Sequence, residues 1–105
     1  MAKTDFYIKQ NDTKPALNVS LAVDGSVVDL TDAVVKFHMG SIVDATATVV
    51  SATAGTVRYS WIAADTVLAG CYPAEFEVTF TDGSIETFPN DWDNRLTVII
   101  PEDVS

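Results

Sequence analysis

The feature that most constrains this sequence is a run of alternating polarity in its carboxyl-terminal half. Five apolar residues occupy every second position, Tyr72, Ala74, Phe76, Val78 and Phe80, and alternate with Glu75, Glu77, Thr79 and Thr81. Successive side chains of a β-strand point to opposite faces of a sheet, so the run predicts a strand with one buried face. Asp82 and Gly83 follow it and tolerate the positive φ angles of a tight hairpin turn. We therefore predict a hairpin from this strand into residues 85–88, with the strongest core face in the chain.

Similar patterns occur along the rest of the chain. Further strands are predicted at residues 6–8, 17–23, 27–30, 34–39, 46–52, 57–61 and 96–100. Asp24-Gly25 and Ala54-Gly55 supply two more hairpin turns, and residues 63–67 are predicted to form a short helical turn. Turn signals recur about every 8–12 residues, which is typical of a β-sandwich or barrel. The sequence therefore predicts an all-β antiparallel β-sandwich of about 7–9 short strands.

The length and composition indicate one globular domain. A chain of 105 residues with 48% hydrophobic residues is expected to form a single core, so one domain is predicted over residues 1–105. Cys71 is the only cysteine and cannot form a disulfide within the chain. No stretch approaches the roughly 18 apolar residues that a membrane span requires. We expect synthesis in the cytoplasm of the producing cell, with no membrane partner.

The charge excludes one class of partner. Fifteen acidic and six basic residues give a formal net charge of −9. This field repels nucleic acid phosphates and anionic membrane surfaces, so direct binding to DNA or RNA is not expected. The acidic residues are scattered between apolar stretches, which is typical of solvated turns.

The residues that most often perform catalysis or bind metals do not form a pattern here. His38 is the only histidine and shares the polar face of its strand with Lys36, and no nucleophile elbow is present. Cys71 has no basic neighbour in sequence that would activate its thiol. Glu75 and Glu77 share one strand face, where two solvated carboxylates are the ordinary explanation and acid-base chemistry or cation binding is the alternative. We predict no enzyme activity, no catalytic or metal-binding residues and no cofactor.

A polar cluster around Trp92 is the most distinctive short motif. Asp91, Asp93 and Glu102 fit positions one, three and twelve of a calcium-binding loop, but Leu96 stands where that loop needs glycine. Trp92 has two interpretations, an anchor packed over the core or an exposed contact for a partner. The predicted partner contacts are Asn90, Asp91, Trp92 and Asp93.

The order of the motifs resembles one known family, the immunoglobulin-like N-terminal domain of phage baseplate upper proteins. The first matching stretches are Ile8-Lys-Gln-Asn-Asp-Thr-Lys-Pro15 with Leu17, and Val28-Asp-Leu-Thr31 leading into Val35-Lys-Phe-His-Met39. The later ones are Gly55-Thr-Val-Arg-Tyr-Ser-Trp61, Asp65-Thr66, Gly70-Cys-Tyr72, Ala74-Glu-Phe-Glu-Val78, Asp82-Gly83 and Thr87-Phe-Pro-Asn90. No single motif is specific, but the ordered set covers nearly the whole chain.

The resemblance implies a non-enzymatic structural protein of the phage virion. Such a protein would dock in the tail, baseplate or neck, bind other virion proteins and be oligomeric in the particle. The residues leave two alternatives. One is a head-surface decoration protein, and the other is a carbohydrate-binding adhesive β-sandwich in which Trp92 or Tyr59 stacks on sugar rings.

Overall fold

A computed structural model of the protein describes residues 4–23, 25–89 and 95–102. These residues form eleven short strands and one 3₁₀ helix, Ala63–Thr66. The strands are β1 (Thr4–Tyr7), β2 (Leu17–Ser20), β3 (Ala22–Val23), β4 (Ser26–Val27), β5 (Val34–Met39), β6 (Val43–Thr46), β7 (Thr48–Ser51), β8 (Thr56–Tyr59), β9 (Gly70–Thr79), β10 (Ile85–Phe88) and β11 (Leu96–Ile100).

The larger sheet is built around β9. β5 pairs with β9 on one side, and β11 and β10 pair with successive halves of β9 on the other side. β6 extends the sheet beyond β5, and β1 extends it beyond β11. All of these pairs are antiparallel except β1 with β11, which is parallel. The strand predicted from the clearest alternation is therefore the centre of the sheet.

The smaller sheet has the order β2–β8–β7, and the hairpin β3–β4 stands beside it. In immunoglobulin terms, β2, β8 and β7 occupy the places of strands B, E and D, and β5, β9 and β11 occupy those of C, F and G. The predicted all-β, immunoglobulin-like sandwich is confirmed. The parallel edge strand is a departure from an entirely antiparallel arrangement.

The two sheets enclose one apolar core. Phe37, Phe76 and Val78 are fully buried, as are Val57 from the smaller sheet and Val98 from β11. An aromatic cluster fills one part of the core, where the rings of Phe37 and Tyr59 stack with centroids 4.5 Å apart. Contacts of this kind contribute beyond the apolar area that they bury.

Two predicted strands are interrupted in the structure, each for a visible reason. The strand expected at residues 17–23 breaks at Leu21, whose N–H donates to the carbonyl of Gly55 and whose carbonyl accepts from Val28. The strand expected at residues 46–52 breaks at Ala47, whose N–H donates to the carbonyl of Val35. At Ala47 the chain passes from the larger sheet, through β6, to the smaller sheet, through β7.

Gly55 cannot be replaced at the turn between β7 and β8. Its φ is +67°, and an added Cβ would lie 2.7 Å from the carbonyl oxygen of Val28 and 2.8 Å from that of Leu21. The backbone of this turn thus packs directly against Leu21, which precedes β3, and Val28, which follows β4, and only glycine leaves room.

The three hairpins are confirmed, since β3 pairs with β4, β7 with β8 and β9 with β10. The helical turn expected at residues 63–67 is the 3₁₀ helix. The assignment of residues 1–105 to one domain stays a prediction. In the part of the chain that the structure describes, no helix has the length and apolarity needed to cross a membrane.

Candidate interaction surfaces

A buried carboxylate lies at the corner where the chain passes from the smaller sheet to the larger one. Asp65 is 6% exposed, and its Oδ2 accepts hydrogen bonds from the Tyr59 hydroxyl at 2.7 Å and from the Ile62 N–H at 3.0 Å. Burial, followed by the hydrogen bond to Asp65 and its negative charge, raises the pKa of Tyr59 well above its ordinary value of 10. Asp65 therefore fixes the start of the 3₁₀ helix to the aromatic cluster.

The same corner is joined to the loop between β1 and β2. Thr66 is fully buried, and its hydroxyl donates to the carbonyl of Asp12 at 2.9 Å. Its own carbonyl accepts from the N–H of Asn11, while the Gln10 side chain donates to the carbonyl of Val67. These bonds use the polar groups internally, so the corner is structural.

Tyr72, the third residue of β9, is hydrogen-bonded to the backbone of the same corner. Its hydroxyl donates to the carbonyl of Leu68, four residues upstream, at 2.8 Å. This is the geometry of the tyrosine corner found in immunoglobulin-like sandwiches near the start of strand F. It is an independent indication that β9 occupies the position of that strand.

The outer face of the larger sheet carries an ionic cluster. Lys36 Nζ lies 3.1 Å from Asp44 Oδ1, and His38 Nδ1 lies 3.5 Å from the same oxygen. His38 Nε2 lies 4.0 Å from Glu77 Oε1, is itself buried and has no hydrogen-bond partner. Exposed charges of this kind contribute little to stability. Lys36 and the ring of His38 each have an acidic neighbour in this cluster.

The candidates for chemistry that the structure describes lie near one another on the larger sheet: His38 and Glu75 line a cleft of about 190 Å³, and Cys71 and Glu75 line another of about 330 Å³. His38 lies beside Asp44 and Glu77 as a partly exposed residue, Glu75 and Glu77 share the outer face as predicted, and Cys71 is exposed. Among the described residues, no group of three histidine, cysteine or acidic side chains is arranged to hold a metal ion.

The outer face of the smaller sheet has a different character. A cleft of about 550 Å³ lies between the segment that enters β2 and the end of β8. It is lined by Thr13, Lys14, Pro15, Ala16, Asn18, Arg58 and Ser60. Arg58 donates through Nε to Asn18 Oδ1 at 2.9 Å, across the β2–β8 pair. Two of the six basic residues of an acidic chain thus line one cleft, and none of the lining residues is acidic.

The predicted contact residues Asn90, Asp91, Trp92 and Asp93 lie outside the described residues. The chain enters that segment after Phe88, which pairs with Phe76, and leaves it before Leu96, which pairs with Ala74. The alternative in which Tyr59 stacks on a sugar is wrong, because this ring is 5% exposed and packs against Phe37.

Sequence reasoning missed the two polar features that the fold assembles. Asp65 stood in the sequence as part of a family motif and among acidic residues typical of solvated turns, and Ile62 is not the serine or threonine with which a capping box begins. The Lys14–Arg58 cleft joins residues 44 positions apart in the chain, and no short pattern could have found it.

Comparison with known proteins gives a fold and a family. No curated protein matches the sequence. Among solved structures, the crystal structure of CopC from Methylosinus trichosporium OB3b is similar, with a TM-score of 0.53 and 12% identity. The match covers 100% of this chain and 89% of that one, and at this identity the likeness concerns the fold alone.

The family is decided by the sequence itself. The model of the BppU N-terminal domain family matches residues 2–89, which include every stretch quoted for the family resemblance except its last residue, Asn90. The sandwich topology and the tyrosine corner agree with that assignment. The chain belongs to the family of baseplate upper protein N-terminal domains, which are structural components of phage baseplates.

Proposed function

We propose that this protein is a non-enzymatic docking module of the phage virion, which attaches to neighbouring virion proteins in the tail, baseplate or neck. The family match over residues 2–89 carries the proposal. In this proposal residues 1–105 act as one domain, and the protein is oligomeric in the particle.

The structure supports a docking role through its sheet edges and outer faces. Among the strands that the structure describes, β2 and β7 are the edges of the smaller sheet, and β6 is an edge of the larger one. Such edges present unpaired backbone groups to which another chain can add. The polar groups at the β8–β9 corner are used internally and leave the outer faces and edges as the available contacts.

The test is the composition of purified virions. Particles of the phage that encodes the protein should contain it by mass spectrometry, and particles made without its gene should be defective in assembly or in tail structure. A reconstruction of the intact particle should place it in contact with at least one other virion protein. Its absence from purified virions would reject the proposal. Its location on the capsid surface instead would favour the head-decoration alternative.

A further inference from the structure

The cleft at Lys14 and Arg58 has the features of a specific protein contact. We infer that this cleft, together with the open edge of β2, binds an extended acidic segment of a different protein chain by strand addition. The inference rests on the proposed docking function, and it adds the surface and the chemistry of the partner.

The first support is the free edge. β2 pairs with β8 along one side, from Leu17 opposite Tyr59 to Ser20 opposite Thr56, and no described strand pairs with its other side. Asn18 and Ser20 are exposed, while Leu17 and Val19 face the core. A polypeptide added here would hydrogen-bond to the backbone of β2, and its alternate side chains would lie on the outer face beside the cleft.

The second support is the charge of the cleft. Arg58 uses Nε to bind Asn18, which holds the guanidinium in place on the outer face of β8. Its terminal nitrogens retain the geometry for bidentate binding of a carboxylate. Lys14 stands at the other wall, next to Pro15. The described ion pairs of the chain involve Lys36 and His38 instead, so no described carboxylate forms an ion pair with Lys14 or Arg58.

The third support concerns which acidic partner fits the cleft: a nucleic acid, a second copy of this chain or a different protein. The net charge of −9 repels a long polyanion such as DNA, while a short acidic strand meets two cations locally. The open strand edge supplies backbone hydrogen bonds that only a polypeptide can complete along its length. A second copy of this chain would bring its own charge of −9 to the contact, so a different protein is the better occupant.

The binding experiment uses the intact chain and a defined probe. The probe is a blocked eight-residue peptide in which glutamate alternates with valine, titrated into ¹⁵N-labelled protein and followed by NMR. Amide shifts should change for residues 17–20 and Arg58. A peptide with glutamine in place of glutamate should bind at least about tenfold more weakly, since charge-assisted hydrogen bonds to both cations are lost.

Two double variants with the same net charge isolate the cleft. Lys14→Glu with Arg58→Glu should weaken binding of the acidic peptide at least about tenfold, as expected for loss of both charge-assisted contacts. Lys9→Glu with Lys36→Glu should leave the shift changes at β2 in place. Equal weakening in both variants, shifts confined to another edge, or binding of a DNA oligonucleotide but not the peptide would overturn the inference.

Self-association of the wild-type chain in analytical ultracentrifugation, lost only in the cleft variant, would identify a second copy as the occupant and overturn the assignment to a different protein.

Incorporation into virions separates this inference from the proposed function. Phage lacking the gene are complemented with the wild-type, cleft or control gene, and the protein is quantified in purified particles. We expect the cleft variant to be depleted and the control variant to be present at the wild-type level. If the cleft variant enters particles normally, the inference fails while the docking function stands. If the wild-type protein itself is absent, the docking function fails.

Discussion

Two regions of this protein use carboxylates in opposite ways. At the β8–β9 corner, Asp65 is buried and accepts hydrogen bonds from Tyr59 and Ile62. On the outer face of the larger sheet, Asp44 is largely exposed and lies beside Lys36 and His38. Losing a hydrogen-bond partner lowers the free energy of unfolding more at a buried group than at an exposed one, because water cannot replace the partner of a buried group. The corner therefore holds the fold together, whereas the outer face can change without unfolding it.

The largest expected effect is the loss of the buried carboxylate. Asp65→Ala leaves the Tyr59 hydroxyl without an acceptor inside the core, and we expect the free energy of unfolding to fall by about 2–4 kcal/mol. Chemical denaturation measures this change. Asp44→Ala is the matched control, since it removes the same charge from the surface and should cost less than about 1 kcal/mol. Equal losses in the two variants would remove the distinction between the regions.

A smaller effect is expected from the hydroxyl alone. In the folded state the pKa of Tyr59 is raised above the unfolded value of 10, so the folded protein holds this proton more tightly. The corresponding stability is complete below pH 10 and is lost as the pH rises above it. Tyr59→Phe should therefore unfold with a weaker dependence on pH above pH 10 than the wild type does, as followed by circular dichroism. An unchanged alkaline slope would contradict the internal role of this hydroxyl.

The exposed ion pair should contribute less than either change at the corner. Lys36 and Asp44 retain side-chain exposures of 43% and 64%, and pairs of this kind are worth about 0.2–1 kcal/mol. A double-mutant cycle with Lys36→Ala and Asp44→Ala should give a coupling energy in that range that falls further in high salt. A coupling energy well above that range would show that the outer face is more constrained than its exposure indicates.

The smallest effects are expected at two exposed turns. Hydrogen bonds from the side chain and N–H of Thr31 lower the pKa of Asp29, and those from Ser84 lower the pKa of Asp82. Each turn contributes stability above the unfolded pKa of 3.8, and this contribution is lost as the pH falls through the lower folded value. NMR titration of the carboxyl carbons should show both pKa values below 3.8, and Ser84→Ala should raise that of Asp82 while leaving that of Asp29 unchanged.

Much of the fold was accessible from local patterns. The alternation around Phe76 and Val78 predicted the central strand because strand side chains repeat every two residues, and that period survives folding. Gly25, Gly55 and Gly83 predicted the hairpin turns because glycine tolerates a positive φ, and each of the three has a positive φ in the structure. The breaks at Leu21 and Ala47 were not predictable, since each results from a hydrogen bond to a residue distant in sequence or from a crossing between sheets.

The sequence by itself determined the all-β class, the strand faces, the acidic charge and, through its ordered motifs, the family. The tertiary structure decided which polar residues are buried and which surfaces remain open. Asp65 and Tyr59 meet because the 3₁₀ helix turns the carboxylate back onto the preceding strand. Lys14 and Arg58 line one cleft because β2 pairs with β8. The burial of a polar side chain and the charges around it depend on contacts between segments that are distant in the chain, and local sequence patterns do not predict those contacts.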